Sequence, residues 1–381
     1  MEIIHSLGIL SINKSTDENA GFLLSNGKGG YCSFFNFPSS RYHGFFYFDE
    51  KESEMYRFVE NIEIADDNSV QTIKNGFYFI ERKKSDIAET FFMLQHSDSL
   101  VYELSKEKEI DLILDCKKSY DNREFGRYYE IFEERGCIIV KFTKKTDKRE
   151  DETDGIKEFE LFLIISGSIK NHSINGKWAE RHYSYDEERM SYPFRRQVYN
   201  ALRLEGSRFV FTISKNKKKG IEECHRVFTS LNEMKSNEKE RFIELIKNED
   251  AKKILTSQKI SADVKMAYVN ALNSLKKLAV KNTDIFAGLP WFFQYWSRDT
   301  LVSLKSLSKI NNVMAESILF DYLDRIDSEG RLPDITNREN KTGSGDSHGW
   351  LFFRLKEFAH GIHGHKKTIN SDGNILTCST K

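Results

Sequence analysis

The hydrophobic pattern of the sequence changes its period near residue 215, and this change constrains the fold most strongly. Before it, apolar residues alternate with polar ones, as in Ile110, Leu112, Leu114 and Cys116. A period of two is typical of strands with one buried face. Asn-Gly and Asp-Gly pairs separate these runs and indicate tight turns. We therefore predict an antiparallel β-sandwich in the first part of the chain.

Beyond residue 215 the apolar residues are spaced three and four apart, which is typical of amphipathic helices. The residues that show this spacing are Val264, Ala267, Tyr268, Ala271, Leu272, Leu275 and Leu278, then Leu301, Leu304, Leu307 and Ile310, and then Ile318, Leu319, Tyr322, Leu323 and Ile326. Strands followed by helices indicate separate domains. The sequence predicts a β-sandwich domain over residues 1–215, a helical linker over residues 216–282 and a helical domain over residues 283–381.

Charge and cysteine content limit the possible partners and compartments. The 381 residues include 58 Lys and Arg and 58 Asp and Glu, so the formal net charge is zero. Such a balance favours neither nucleic acid nor an anionic membrane as a partner. No apolar run approaches the roughly 20 residues that span a bilayer, and no signal-peptide pattern opens the chain. Five scattered cysteines without a CxxC pair indicate reduced thiols, so we expect a cytoplasmic protein.

The densest group of chemically informative residues lies between residues 287 and 299. Five aromatic residues occupy six positions from Trp291 to Trp296, and Arg298 and Asp299 follow. The apolar faces of pyranose rings pack on aromatic rings, while sugar hydroxyls need donors and acceptors. The residues alone support two interpretations. They form a sugar-binding site, or they form a core segment in which Asp299 caps a helix.

This segment resembles the Gly-Tyr-Pro-Trp-Phe…Trp-(Gly/Ser)-Arg-Asp-Thr signature of bacterial and archaeal amylo-α-1,6-glucosidases, the glycogen debranching type. The matching residues are Gly288, Pro290, Trp291, Phe292, Trp296, Arg298, Asp299 and Thr300, while Leu289 stands where Tyr is common. Residues 25–31 with residues 40–44, and residues 330–334 with residues 345–350, are similar to two further family blocks in the same order. Lys28 and the pair His348-Gly349 depart from the family pattern.

The two outer blocks also have plain structural interpretations. The glycines of residues 27–30 suit tight turns, since their spacing is not that of a phosphate-binding loop. Arg41 and His43 are either structural or part of a β domain that packs against a catalytic barrel, as the resemblance implies. Asp346 is either an active-site carboxyl or the N-cap of a helix.

The resemblance implies a fold and a mechanism. It implies a supersandwich-like β domain before an (α/α)6 barrel that hydrolyses α-1,6-linked glucose stubs of glycogen or a related α-glucan with inversion. Asp346 would be the general acid, Arg298 and Asp299 would hold sugar hydroxyls, and Trp291, Trp296 and Trp350 would supply aromatic walls. The family needs no metal and no cofactor.

The resemblance also implies that the chain stops early. The family's general base is a Glu that comes later in the barrel, and Glu357 matches nothing in that role. A six-hairpin barrel needs about twelve helices, whereas the sequence predicts about four. We therefore expect a C-terminally truncated chain that is an open partial barrel, the product of a split or frameshifted gene, or one subunit of an enzyme in which a second chain supplies the rest of the barrel. In each case we expect little hydrolytic activity from this chain alone. His360, His363 and His365 are interpreted as part of an irregular tail rather than a metal site.

Two other functions stay open at this point. One is a related inverting hydrolase, such as a glucoamylase-like or trehalase-like enzyme, which the shape of the sugar pocket would distinguish. The other is a non-catalytic carbohydrate-binding or assembly subunit of a split enzyme. The latter predicts an intact pair of Arg298 and Asp299 without paired carboxylates across the pocket.

Overall fold

The structure is a computed structural model, and it divides into two compact units, Met1–Asn273 and Ser274–Lys381. It describes residues 4–8, 11–15, 19–64, 70–147, 155–247, 249–280, 284–336, 343–361, 367–369 and 375–377. Side chains are described from residue 19 to residue 359, except at positions 249 and 250 and in the gaps between these ranges. Cys378, His363 and His365 lie outside the described residues, and His360 is described only by its backbone.

The first unit begins with strands and ends with helices. Its elements are β1 (Ile4–Gly8), β2 (Ser11–Ser15), β3 (Gly21–Ser25), β4 (Tyr31–Phe35), β5 (Gly44–Asp49), β6 (Glu54–Ile64), β7 (Thr72–Asn75), β8 (Phe79–Lys83), β9 (Ala88–Met93), β10 (Ser99–Lys118), β11 (Arg127–Glu134), β12 (Cys137–Lys145), β13 (Lys157–His182), α1 (Ser184–Glu188), β14 (Arg195–Ser214), α2 (Lys217–Thr229), α3 (Leu231–Ile246), α4 (Glu249–Thr256) and α5 (Ala262–Leu278), the last of which continues into the second unit.

All fourteen strands form one antiparallel sheet. Its main path runs β1-β2-β7-β8-β9-β10-β14-β13-β12-β11, and β3 to β6 branch from it through β10. The branch exists because β10 is 20 residues long. Its first half pairs with β9 and its second half pairs with β6. Register shifts along β10, β13 and β14 bend these long strands, as bulges do.

The alternating apolar residues fill one large core, as predicted. Ile110, Leu112, Leu114 and Cys116 are all fully buried in it. Apolar residues on the opposite face of the sheet are also buried. Ile139, Ile164 and Val210, for example, pack in a second cluster with residues of α2. Part of the sheet is therefore buried on both faces, by other strands on one side and by α2 on the other.

The sheet also buries a cluster of charges. Asp115 lies 3.0 Å from both Arg196 and Arg127 and 3.5 Å from Arg57. Arg57 also lies 3.5 Å from Glu60, and the side chains of Arg57, Asp115, Glu60 and Arg196 have no exposed surface. Burying so many charges is tolerated only because each has an opposite charge or a hydrogen bond nearby.

The second unit contains short strands and helices. Its elements are β15 (Ala279–Val280), β16 (Asp284–Ile285), α6 (Ser297–Ile310), α7 (Asn312–Asp324), α8 (Gly345–Gly361), β17 (Lys367–Ile369) and β18 (Ile375–Thr377). The predicted apolar positions of α7, and those of α6 except Ile310, form its core together with Leu332 and Leu351. On α5 the helix is confirmed and Leu272 is buried as predicted, but in its first half Met266 and Val269 are buried while the predicted Val264 and Ala267 are exposed.

The predicted order of a large antiparallel β region followed by helices is confirmed. The supersandwich topology and the incomplete (α/α)6 barrel stay predictions, as does the division at residues 215 and 282. Within residues 216–282, α2 packs on the sheet, and Phe242 of α3 stacks on Phe77. No helix among the described residues is long and apolar enough to span a membrane.

Candidate functional site

The aromatic segment forms a compact loop between β16 and α6. Gly288 and Phe292 exchange backbone hydrogen bonds of 3.0 and 2.7 Å, and the amide of Ala287 donates to the carbonyl of Gln294. The end of the loop pairs with residues 333–336. The amide of Ser297 donates to the carbonyl of Asp334 over 2.9 Å, and Trp296 and Ile335 form an antiparallel bridge. The aromatic segment and the loop of residues 330–334 are thus joined through their backbones.

Arg298 and Asp299 lie in the first turn of α6. Trp296 is the N-cap residue, and its side chain makes no capping hydrogen bond. Asp299 is therefore not the N-cap that the alternative interpretation proposed, although an acidic residue in the first turn still stabilises the positive end of a helix. The Arg298 side chain is 56% exposed and the Asp299 side chain 39% exposed. Both can therefore reach a molecule from solvent.

Asp346 lies beside Arg298. Its Oδ2 is 3.4 Å from Nη1 of Arg298, although 47 residues separate the two in sequence. Asp346 is the second residue of α8, so it lies in the first turn rather than at the N-cap. Ser344, just before the helix, donates its hydroxyl to Oδ1 of Asp346 over 2.6 Å. The structure therefore brings together two of the residues that the sequence assigned to one site.

The charge state of Asp346 follows from these neighbours. The Ser344 hydroxyl and the Arg298 guanidinium hold the pKa of Asp346 below its usual value. Both act by stabilising the charged carboxylate. A general acid must instead be protonated at working pH. In the sugar-free protein Asp346 is therefore an ionised carboxylate.

His348 connects the two halves of the third block. The amide of Leu332 donates to Nε2 of His348 over 3.1 Å, and Nδ1 lies 3.1 Å from the carbonyl oxygen of Ser344. This histidine departs from the family pattern in sequence. In the structure it fastens the loop of residues 330–334 to the start of α8, and so holds Asp346 in place.

The three tryptophans of the predicted site are all half-buried. Trp350 follows Asp346 by four residues on α8, which places the two on one face of the helix. Its ring packs on the core of the second unit and lies under the guanidinium of Arg354. Trp296 is the N-cap residue of α6, and Trp291 lies in the aromatic loop. Their roles as sugar platforms stay predictions.

Asp284 is a central residue that the sequence did not reveal. It is fully buried, and four side chains donate to its carboxylate. The donors are Thr300, Tyr322, Arg325 and Thr336, at 2.5 to 3.2 Å. Burial raises its pKa, while the Thr300 hydrogen bond and the charge of Arg325 oppose that shift. Because its partners come from α6, from α7 and the residue after it, and from the segment at residue 336, no local pattern could have indicated it.

The N-terminal blocks are built as structural turns. Gly27 and Gly29 have φ values of 66° and 103°, so they occupy the backbone region that favours glycine, as the turn interpretation predicts. His43 is buried, accepts a hydrogen bond from the amide of Phe35 at Nδ1 and lies 3.0 Å from Asn61 through Nε2. Burial lowers its pKa well below the usual value. A neutral histidine with hydrogen-bond partners at both ring nitrogens suits a structural role.

Comparison with known families adds a finding for the second block and the third. Residues 264–364 match the family model described as Amylo-alpha-1,6-glucosidase. The match covers the aromatic loop, α6, α7 and α8, and therefore includes Arg298, Asp299 and Asp346. The resemblance of residues 25–44 lies outside it and stays a prediction. A search of curated proteins found no match.

Proposed function

We propose that this protein acts on α-glucans as a glycoside hydrolase of the amylo-α-1,6-glucosidase type, with its sugar site at the pair of Arg298 and Asp346. The contact of 3.4 Å between these side chains is the observation that carries the proposal. It places a fixed hydrogen-bond donor beside a carboxyl group on an exposed surface, within the segment that matches the family. The proposed substrate is a glucose unit attached by an α-1,6 bond.

Arg298 and Asp299 would bind the hydroxyls of that glucose. A guanidinium offers donors in a rigid fork, and a carboxylate offers two acceptors, so the pair matches adjacent sugar hydroxyls. Trp296 and Trp350, with Trp291, would bind the apolar faces of the sugar rings. The mixture of aromatic surface and fixed polar groups is what a neutral sugar requires.

Asp346 would donate the proton to the leaving oxygen. For this role its pKa must rise when the sugar binds. Two changes would raise it: Arg298 turns from Asp346 to the sugar hydroxyls, and the bound sugar removes water from the carboxyl group. The ionised state in the sugar-free protein is therefore the starting point of the proposed mechanism.

Inversion also requires a second carboxylate about 6.5–9.5 Å from the first. Glu357 does not fit this requirement. It is eleven residues beyond Asp346 on α8, which corresponds to about 16 Å along the helix axis. It is also paired with Lys305 at 2.8 Å and with Arg354. We therefore assign Glu357 to the structure of the helix pair and not to the reaction.

The proposal is tested by calorimetric titration with a limit dextrin that carries single α-1,6-linked glucose stubs. We expect Arg298→Ala to weaken binding about tenfold or more, since it removes charge-assisted hydrogen bonds worth about 1.5–3 kcal/mol. Arg331→Ala is the matched control, because Arg331 is 51% exposed and is also paired with an acid. Equal affinity of wild type and Arg298→Ala would refute the proposed site.

A non-catalytic sugar-binding subunit is the second candidate. It is favoured by the low pKa of Asp346 and by the pairing of Glu357 with cations. Glucose release from the same dextrin distinguishes the two functions. Release that Asp346→Asn abolishes and Glu357→Gln leaves unchanged would support the hydrolase.

A further inference from the structure

A groove at the edge of the large sheet has the features of a second sugar site. Its volume is about 570 Å³, within the range of about 300–1,000 Å³ for small-molecule sites. It follows β11, which is the last strand of the main path and pairs with β12. All of its lining residues belong to the first unit, whereas Arg298 belongs to the second unit.

Three aromatic rings form one side of the groove. Tyr129 and Tyr199 stack with their centroids 4.7 Å apart and their planes 4° from parallel. Trp178 lies 5.0 Å from Tyr199, and the guanidinium of Arg127 lies 4.6 Å from the Trp178 ring. Trp178 is therefore held in place, yet 44% of its surface is exposed. A fixed, exposed indole presents an apolar face at little entropic cost.

Polar groups form the other side. Glu130 lies opposite Lys141 in the strand register, and Thr143 lies opposite Glu160. Residues opposite each other in this way share a face of the sheet. The same face carries Tyr128, which is 46% exposed. Because Tyr129 alternates with Tyr128 and Glu130 along β11, these polar groups lie on the opposite face of this edge strand from the three rings, and the groove has residues of both faces in its lining.

Five charged side chains of the groove, Arg127, Glu130, Lys141, Lys157 and Glu160, each lie near an opposite charge. Lys141 lies 2.9 Å from Glu130 and 3.6 Å from Glu160, and Lys157 lies 3.7 Å from Glu160. Arg127 is 3.0 Å from the buried Asp115. A charged ligand would have to break such pairs, whereas sugar hydroxyls can hydrogen-bond to them as they stand.

We infer that this groove binds a neutral oligosaccharide, with one sugar ring on Trp178 and neighbouring sugar units round the edge of β11 toward Tyr128, Glu130 and Lys141. Addition of a strand from another protein to β11 is disfavoured, because that edge carries Glu130, Glu133 and Glu134. The choice of an α-glucan as the ligand rests on the proposed function. The site itself does not, because it uses none of the residues around Arg298.

The inference is tested by calorimetric titration of the full chain with maltoheptaose. Trp178→Ala and Tyr128→Ala are expected to weaken binding about tenfold, and Trp178→Phe, which keeps an aromatic ring, by no more than about threefold. Ile174→Ala is the matched control. Ile174 is on the same strand, is 58% exposed and does not line the groove. Circular dichroism confirms that each variant is folded.

The variant Arg298→Ala separates this inference from the proposed function. Unchanged binding of maltoheptaose in Arg298→Ala, with weakened binding in Trp178→Ala and Tyr128→Ala, would support the groove whatever the outcome at Arg298 with branched dextrin. Binding that is lost in Arg298→Ala and normal in both groove variants would overturn the groove and leave the proposed function intact. No binding of maltoheptaose by the wild type would also overturn it.

Discussion

At the scale of single residues, the pair of Arg298 and Asp346 shows how an exposed cation controls a carboxyl group. The two side chains are 56% and 52% exposed, so the attraction between them is screened by water. It still lowers the pKa of Asp346, together with the Ser344 hydroxyl. Their proximity is a property of the fold, because α6 and α8 each contribute one of them.

The first prediction concerns this pKa in the sugar-free protein. Removing the guanidinium in Arg298→Ala should raise the pKa of Asp346 toward its ordinary value, since the charged carboxylate loses its nearest cation. Carbon-13 NMR titration of labelled Asp carboxyls measures the shift, and Asp346→Asn identifies the signal. Arg331→Ala should leave this signal unchanged. A pKa that stays the same in Arg298→Ala would show that Ser344 alone sets it.

At the scale of elements, Asp284 connects the aromatic loop to three other parts of the second unit. Its carboxylate accepts hydrogen bonds from Thr300 of α6, Tyr322 of α7 and Thr336 beside the loop of residues 330–334. It also lies 3.2 Å from Arg325. The position of the loop relative to α6 therefore depends on one buried acid.

The second prediction is that Asp284→Asn lowers the free energy of unfolding of this unit by about 3 kcal/mol, because it removes one partner of a buried ion pair and turns an amide N–H toward donors. Three of the four tryptophans lie in residues 274–381, so fluorescence in urea follows this unit, with Trp178→Phe removing the fourth. Asp321→Asn is the control, because Asp321 also pairs with Arg325 but is 49% exposed. Equal loss in both variants would contradict the role given to Asp284.

Much of the element structure could be predicted from the sequence, whereas the connections between elements could not. The period of the apolar residues predicted the strand positions of Ile110, Leu112 and Leu114 and the helices α6 and α7, because burial of one face follows directly from spacing. On α5 the same reasoning chose the wrong buried positions in the first half. Met266 and Val269 pack there with Phe77 and Phe242, which are distant in sequence.

In the candidate site, too, some residues could be predicted from the sequence and others could not. The motif identified Arg298, Asp299 and Asp346 because they are close to recognisable neighbours in sequence. The supporting residues His348 and Asp284 could not be assigned, because each acts through hydrogen bonds to residues that are distant in sequence. Ser344 lies only two residues from its partner Asp346, but a serine at that spacing does not by itself indicate the bond. The lowered pKa of Asp346 is such a consequence as well.

At the scale of the whole molecule, the first unit depends on charges buried in its sheet. Asp115 compensates Arg57, Arg127 and Arg196. Burial raises its pKa, but the charges of Arg196, Arg57 and Lys117 outweigh that effect and hold the pKa well below the usual value. A carboxyl with a lowered pKa in the folded state contributes stability above its unfolded pKa of about 3.9. That contribution is lost as the pH falls through the folded value.

The third prediction follows from the lowered pKa of Asp115. Asp115→Asn should lower the free energy of unfolding at pH 7 by about 3–5 kcal/mol, because it leaves buried arginines uncompensated. The difference in the free energy of unfolding between Asp115→Asn and wild type should become smaller below about pH 4, where wild type begins to lose the contribution of Asp115. Urea denaturation followed by circular dichroism at a series of pH values measures it. Asp111→Asn on the same strand is the control, since its partner Arg203 is 42% exposed. A constant difference across the pH range would contradict the prediction.

The central claim is that a sugar binds at Arg298 and converts Asp346 into a proton donor. The measurement that tests it most directly is the pKa of Asp346 by carbon-13 NMR, with and without a saturating limit dextrin that carries α-1,6-linked glucose. The dextrin should raise this pKa above its value without dextrin, because Arg298 turns to the sugar and water leaves the carboxyl group. A pKa that stays unchanged or falls when the dextrin is bound would contradict it.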